Sequence, residues 1–469
     1  MRGTSRLTSG VDGLDQILDG GFIEGASYII LGQPGAGKTI LSNQIAFNHV
    51  AQGGRVLYVT LLSESHEHLF QALDSMRFFD RSRLGREIIY VSVFQTLRDQ
   101  GLGELVKLLR KETKRHQATL LVFDGLLNAR DRAATDFDVK SFVAEVQGQA
   151  AFVGCTVLFL TSSSSSEVSP EHTMVDGVIE LTDSIAGLRS IRQLQVRKSR
   201  GSRALDGLHK FEITTGGIIT YPRLESLPPS RGADVAGQKL STGLGPLDEI
   251  LGGGLAAGSV TLIGGPTGSG KTSLGLHFLS RSGPAEPGLH FGFFEAPGQL
   301  RQKAAALGIG LPADDGGLTI ERTPLAENLV DKLAHRLISQ VRALGARRLF
   351  LDGLGGFERA SVHPARLPEF FATLMDRLRA EGVTTVATWE MRDLLGGQVR
   401  LPYNDISATL DNLILLRQVE EDHALVRSIS IQKVRSSGFD PAARALKISD
   451  RGLIIGDPLS LGAGSPSSR

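Results

Sequence analysis

The 469-residue chain is poor in several residue types, with one cysteine, one tryptophan and five tyrosines. A lone Cys155 excludes an intramolecular disulfide framework and a cysteine-based metal cluster, and it fits a reducing compartment, so a cytoplasmic location is expected. No apolar run reaches the roughly 18 residues needed to span a bilayer, and the opening MRGTSRLTSGVDG lacks the apolar stretch of a signal peptide. Neither targeting nor membrane association is expected. Charge of one sign is missing too: 51 Lys+Arg stand against 50 Asp+Glu, so no broad field draws the chain to nucleic acid, anionic membrane or acidic substrates. Aromatics are 6% of residues, few for stacking bases along a basic groove, and Arg197–Arg203 and Lys107–Arg115 are the only notable basic clusters. What remains, 41% apolar and 22% charged residues, is an ordinary globular composition that excludes disorder and collagen.

Length alone suggests about three domains, but an internal repeat reduces that to two. Ser9–Ala46 lies over Thr242–Leu279 without a gap at a shift of 233 residues, matching SGVDGLDQILDGGFIEGASYIILGQPGAGKTIL to TGLGPLDEILGGGLAAGSVTLIGGPTGSGKTSL. A period this long gives each copy its own core, unlike a solenoid. Between the copies, Pro222–Gln238 is rich in Pro, Gly and Ser and reads as a linker. The expected layout is a first domain over 1–224, a linker over 225–239, a second domain over 240–456 and a disordered tail over 457–469.

Short apolar runs alternate with longer amphipathic stretches in both copies, the pattern of βα units around a mostly parallel sheet. The runs are Tyr28–Leu31, Val56–Leu61, Ile88–Phe94, Leu120–Phe123 and Thr156–Leu160, then Val260–Ile263, Leu289–Phe294, Leu318–Arg322, Leu349–Leu351 and Thr384–Thr388. Shorter pieces follow in each copy (GVIEL, RQLQVRK and KFEIT; NLILLRQV, SISIQKV and ALKIS) and read as an antiparallel extension of the sheet. The serine run Ser162–Ser166 reads as a mobile loop. The fold class is therefore α/β: two tandem domains, each a mostly parallel sheet flanked by helices with an antiparallel extension.

The strongest chemical signal is G-x-x-x-x-G-K-T, once through Gly32, Gly35, Gly37, Lys38 and Thr39 and again through Gly265, Gly268, Gly270, Lys271 and Thr272. Each follows an apolar strand and opens a helix. Phosphate oxygens need converging backbone N–H groups without Cβ obstruction and the positive end of a helix dipole, which this context supplies. The two lysines are expected on the β- and γ-phosphates of ATP, and the threonine hydroxyls on Mg²⁺. A carboxylate is needed on the other side of that metal, and LLVFDG and LFLDG place Asp124 and Asp352 at the ends of later strands. Hydrolysis also needs a group to orient water. Glu64 in LLSESHEHL and Glu295 in GFFEAPGQL, both just past the second strand, are the candidates. Late in each copy a basic pair recurs, Lys198 with Arg200 and Lys433 with Arg435. Side chains at i and i+2 of a strand leave one face, so two cations point together from a sheet edge. They suit a γ-phosphate presented by a neighbouring protomer, although a solvated basic edge would look the same.

This order of motifs, STG-x-x-x-LDE-x-LGGG, phosphate loop, Glu after the second strand, LFLDG and K-x-R, given twice, resembles the KaiC family of circadian clock ATPases within the RecA superfamily. The resemblance runs from about Ser9 to Asp457, and the segments ISATLDNLILLRQVE and SIQKVRSSGFDPAARALKISDRG look like the end of the KaiC second domain. It implies two RecA-like P-loop domains, a double-ring homo-hexamer with ATP between adjacent protomers, slow hydrolysis, and Ser/Thr autokinase activity in the second domain that signals to protein partners. The KaiC phosphoacceptor serine falls on Ser407, with Thr409 a further candidate, whereas the neighbouring KaiC threonine falls on Ala408. The chain also departs from the KaiC pattern by offering one carboxylate, not two, after each second strand. The competing function is a RecA-type DNA-handling ATPase or recombinase-like regulator, against which the charge balance and scarce aromatics argue.

Overall fold

The computed structural model describes residues 5–61, 66–126, 135–162, 170–230, 232, 237–313, 315–324, 329–391, 406–421, 424–435 and 437–459. The chain divides into two compact units, Met1–Leu227 and Pro228–Arg469.

Each unit is built on a nine-stranded sheet. From edge to edge, the strands of unit 1 are Ile88–Ser92, Val56–Thr60, Leu120–Asp124, Thr156–Thr161, Ser27–Gly32, Gly177–Ala186, Arg189–Ser199, His209–Thr214 and Gly217–Tyr221. The first six are parallel and the last three continue the sheet antiparallel. Unit 2 repeats that order with Leu318–Arg322, Gly288–Gly292, Arg348–Asp352, Thr384–Glu390, Val260–Gly265, Asn412–Glu421, Ala424–Val434, Arg444–Ser449 and Gly452–Pro458.

The apolar runs become central strands because both sheet faces are covered. In unit 1, Ile30, Tyr58, Val122 and Leu158 pack on the side of the helix Lys38–Ala51 through Leu41 and Ile45. The alternate residues Ile29, Leu57, Val59, Phe123 and Phe159 meet the helices Phe94–His116 and Asp136–Phe152 through Leu105, Leu109, Val143 and Val146. In unit 2 the outer layer is an aromatic cluster in which Phe357 contacts Phe291, Phe293, Phe370 and Phe371.

The repeated L-D block has a local structural role. Asp15 accepts the backbone N–H groups of Ser9 (2.7 Å) and Gly10 (3.2 Å), and Asp248 likewise accepts from Thr242 (2.7 Å). The carboxylate thus closes the turn that leads into the phosphate-loop strand.

The antiparallel extension is longer than the sequence reading gave. Each unit adds a last strand that had not been singled out, Gly217–Tyr221 and Gly452–Pro458. The second of these takes in Asp457 and Pro458, assigned above to the tail, because Pro458 pairs with Arg444. The serine loop falls mostly outside the described residues. Among the described residues, no helix is long and apolar enough to cross a membrane.

Candidate functional site

Both glycine-rich loops leave the C-terminal end of a central parallel strand, beside the point where the sheet turns from parallel to antiparallel pairing. Open α/β sheets form their ligand crevice at this end of the strands. The first glycine of each loop is fixed by close approach: a Cβ on Gly32 would lie 2.3 Å from the Leu181 carbonyl oxygen, and one on Gly265 would lie 2.6 Å from that of Leu416. The next glycines are fixed by backbone conformation, with φ of 82° and 102° at Gly35 and Gly37 and of 76° and 103° at Gly268 and Gly270. A Cβ on Gly35 or Gly268 would meet nothing within 4 Å, so the space over each loop is open. Gly37 and Gly270 then cap the helices Lys38–Ala51 and Lys271–Leu279, whose first N–H groups face the loop.

The lysines occupy matching positions. Lys38 Nζ donates to the carbonyls of Gly32 (2.7 Å) and Gln33 (3.0 Å), and Lys271 Nζ to those of Gly265 (2.8 Å) and Pro266 (2.7 Å). Burial pulls both ammonium groups below their usual pKa, opposed by Asp124 in unit 1 and by Glu390 and Asp352 in unit 2. Thr39 Oγ1 faces Asp124 Oδ2 at 3.5 Å, and Thr272 Oγ1 faces Asp352 Oδ1 at 3.5 Å. Hydroxyl and carboxylate thus stand side by side in both units, an oxygen pair of the hard donor type that magnesium takes.

In unit 2 the loop opens on a cleft of about 490 Å³ lined by Gly268, Lys271, Thr272, Glu295, Asp352 and Thr388. Glu295 sits just before the helix Pro297–Ala306 and pairs with Lys303 Nζ at 2.9 Å. Glu64, its intended counterpart in unit 1, lies outside the described residues.

The two basic pairs act on main chain within their own unit. Lys198 Nζ donates to the carbonyls of His172 (2.9 Å) and Thr173 (3.0 Å), and Arg200 Nη2 to that of Thr173 (3.2 Å). Lys433 Nζ donates to Ser407 (2.6 Å) and Leu410 (2.8 Å), and Arg435 Nη2 to Ala408 (2.7 Å). Each pair therefore points one way, as the i, i+2 spacing requires: Lys198 and Lys433 lie near the ends of the strands Arg189–Ser199 and Ala424–Val434, with Arg200 and Arg435 just past them, and the outer neighbour of each strand pairs only farther back, at residues 193–194 and 428–429. The cations hold the carbonyl end of a short helix, Pro170–Thr173 or Ile406–Thr409. Ser407 and Thr409 thus lie on a segment clamped by Lys433, Arg435 and Arg379, the last donating to Thr409 O and pairing with Asp411 at 3.0 Å.

Several side chains at the site were not anticipated. Thr388 Oγ1 donates to Asp352 Oδ1 (2.9 Å), Thr267 Oγ1 donates to Glu390, Arg427 Nε donates to the Gly268 carbonyl (3.0 Å), and the buried His290 ring lies 3.8 Å from Asp352 Oδ2, too far for a hydrogen bond. Burial pulls the Asp352 carboxyl up, but His290, Thr388 and Thr272 together outweigh it and hold the group below its usual pKa. Asp124 goes the other way: burial raises it, and Lys38 and Thr39 only partly compensate. The hydroxyl and acid at the ends of Thr384–Glu390 were legible only as strand-end polar residues in VATWE, while a histidine inside an apolar run gave no functional signal.

Two parallel-sheet units, each with a glycine-lined loop, an invading lysine and a threonine facing a strand-end carboxylate, define a tandem ATPase of the phosphate-loop class. Comparison with known proteins narrows the class: the family described as "ATPase: KaiC" matches residues 7–225 and again 240–460. The chain belongs to the KaiC ATPase family. It is 24% identical over 97% of its length to the circadian clock oscillator protein KaiC of Parathermosynechococcus lividus, covering 86% of that protein, and 24% identical over 97% to its namesake in Synechococcus elongatus, covering 89%. The circadian clock protein KaiC3 of Synechocystis is 25% identical over 97% of the chain, which covers 92% of it.

Proposed function

We propose that each unit binds one ATP with Mg²⁺ and that the second unit also transfers phosphate to its own Ser407 or Thr409. The carrying observation is the duplicated cradle: glycines of nearly equal φ, lysines on matching carbonyls and threonine–carboxylate distances of 3.5 Å in both units. Lys38 and Lys271 neutralise the β- and γ-phosphates, Thr39 with Asp124 and Thr272 with Asp352 hold the metal, and Glu295 orients water, with Glu64 doing so in unit 1. When bound, the ion would spread the negative charge that develops between the two terminal phosphates. Lys198 with Arg200 and Lys433 with Arg435 serve a nucleotide on an adjacent protomer of a homo-hexamer, each held in place by the carbonyls it now contacts. The protein signals nucleotide state to protein partners through this ring, as a KaiC-type timer or regulator in the cytoplasm.

The kinase half is tested by incubating the protein with γ-labelled ATP and mapping peptides. Label in the peptide containing Ser407, lost in the Lys271→Ala variant and retained in Lys38→Ala, is the expected result. Hydrolysis without label would leave an ATPase and remove the kinase.

A further inference from the structure

On the sheet face of unit 1 opposite the phosphate-loop helix, the helices Phe94–His116 and Asp136–Phe152 enclose an apolar cleft of about 400 Å³ lined by Val106, Leu109, Val146, Phe152 and Val153. Two of these residues are not protected as core residues should be: Phe152 is 91% exposed and Val153 49%. Arg110 and Lys114 also line the cleft, and neither forms an ion pair among the described residues. A bared aromatic beside uncompensated cations marks a recognition surface better than a solvated helix end.

The duplication shows what belongs there. Aligning Thr156 with Thr384 puts Ala380, Glu381 and Arg377 in the places of Phe152, Val153 and Gln149, and aligning Ala118 with Ala346 puts Arg342 in that of Lys114. In unit 2, Arg342 donates to Glu381 Oε1 at 2.6 and 2.8 Å. Arg377 binds the segment 228–230, through the Pro228 carbonyl (2.9 Å) and the Ser230 hydroxyl (3.3 Å). The unit 2 position is thus occupied by a carboxylate for its cation and by a proline-containing segment. Unit 1 has a valine where that carboxylate stands, an unpaired lysine, and an exposed phenylalanine in place of alanine.

We propose that this cleft docks an extended segment of another protein, carrying a proline or aliphatic side chain that packs on Phe152 and Val146 and an acidic residue that pairs with Lys114 and Arg110. The volume suits two or three side chains, and a concave, apolar-floored site fits an inserted side chain better than a lipid surface, which needs a convex or flat face. The partner supplies from outside the two elements that unit 2 carries within itself.

The test uses fluorescence anisotropy on the full-length protein, with a labelled Leu-Pro-Pro-Ser-Glu-Glu peptide as probe and the same peptide ending in Lys-Lys as control. The proposal expects saturable binding of the acidic probe in the micromolar range, about tenfold weaker with Phe152→Ala and with Lys114→Glu, with Lys114→Glu now favouring the lysine control. Both substitutions are at exposed positions, and an unchanged ATPase rate verifies that the variants are folded. Absence of saturable binding, or binding that both variants leave intact, overturns it. So does binding to phosphatidylserine vesicles that Phe152→Ala abolishes, which would make the face a membrane contact. A lower oligomer mass for Phe152→Ala overturns it too, because the occupant would then be a second copy of the chain.

Discussion

The two units hold the same loop geometry over different foundations. Behind the unit 1 loop lies a polar network: Tyr58 shares a hydrogen bond with Ser42 at 2.8 Å, accepts one from Asn43 Nδ2 at 3.1 Å and stacks on Tyr90, whose hydroxyl donates to Asn43. In unit 2 the same positions are His290, Gly275, Leu276 and Ile320, and the Phe350 ring fills the space that a side chain on Gly275 would need. His290 is buried with neither ring nitrogen hydrogen-bonded among the described residues. Duplication has kept the residues that face the ligand space and released those one layer behind it. That layer also bears on one carboxylate: His290 is among the groups that hold Asp352 below its usual pKa, while Asp124, in the matching position, is raised by burial against Lys38 and Thr39.

The comparison can be broken most sharply with the single thiol. Cys155 is buried in unit 1 and its pKa is pushed up to about 12, so near pH 8 its thiolate is on the order of 1,000-fold scarcer than that of an exposed cysteine. A disulfide reagent should therefore modify the native chain that much more slowly and reach full rate only when unit 1 unfolds, with unit 2 silent. Fast labelling of the native protein would mean that unit 1 opens on its own. Next in size, Glu295→Gln in a Lys38→Ala background, where only unit 2 turns over, should cut hydrolysis about 100-fold while leaving ATP affinity within a factor of two to three. A similar loss of affinity would reassign Glu295 to binding.

Smaller effects separate the two foundations. Tyr58→Phe deletes a hydroxyl bonded to two buried partners and should destabilise unit 1 by about 1–2 kcal/mol. His290→Phe removes ring nitrogens that have no hydrogen bond and should cost unit 2 less, as read by denaturant midpoints followed by proteolysis of each unit. Equal losses would erase the contrast. The carboxylates give the finest distinction, in nucleotide-free protein. Asp124, raised in the fold, contributes stability that is present below the ordinary carboxylate pKa and shrinks as pH climbs through the raised value. Asp352, lowered, contributes stability that is present above the ordinary value and is lost as pH falls through the lowered one. Asp124→Asn should accordingly remove the fall in unit 1 stability that begins at the ordinary carboxylate pKa as pH rises, and Asp352→Asn the fall in unit 2 stability below that pKa as pH drops. Profiles that move together would contradict the opposite directions of the two carboxylates.

Much of the architecture was readable because it rests on local rules. The edge strand Leu318–Arg322 was delimited from the sequence with the bounds it has in the fold, and the central strands to within a few residues, since strands covered on both faces must be apolar throughout. The paired loops, Lys38, Lys271, Asp124 and Asp352 were also readable, because phosphate binding demands glycines and a lysine at fixed offsets. What escaped depends on pairing across the chain. The strand Gly217–Tyr221 is short and half-polar, and only its register with His209–Thr214 makes it a strand. Lys433 and Arg435 were visible as a pair, yet nothing near them in sequence indicated the Ser407, Ala408 and Leu410 carbonyls they hold. Thr388 joins Asp352 across neighbouring strands 36 residues apart, a contact that no local pattern encodes.

The most direct measurement is the number of ATP molecules bound per chain by calorimetry in the presence of magnesium, for the wild type and for Lys38→Ala and Lys271→Ala. Two independent cradles give two per chain, falling to one in either variant, with affinity at the altered loop down about 100-fold. A wild-type count below two, or a count of two that survives either substitution, would contradict the assignment of ATP to these loops.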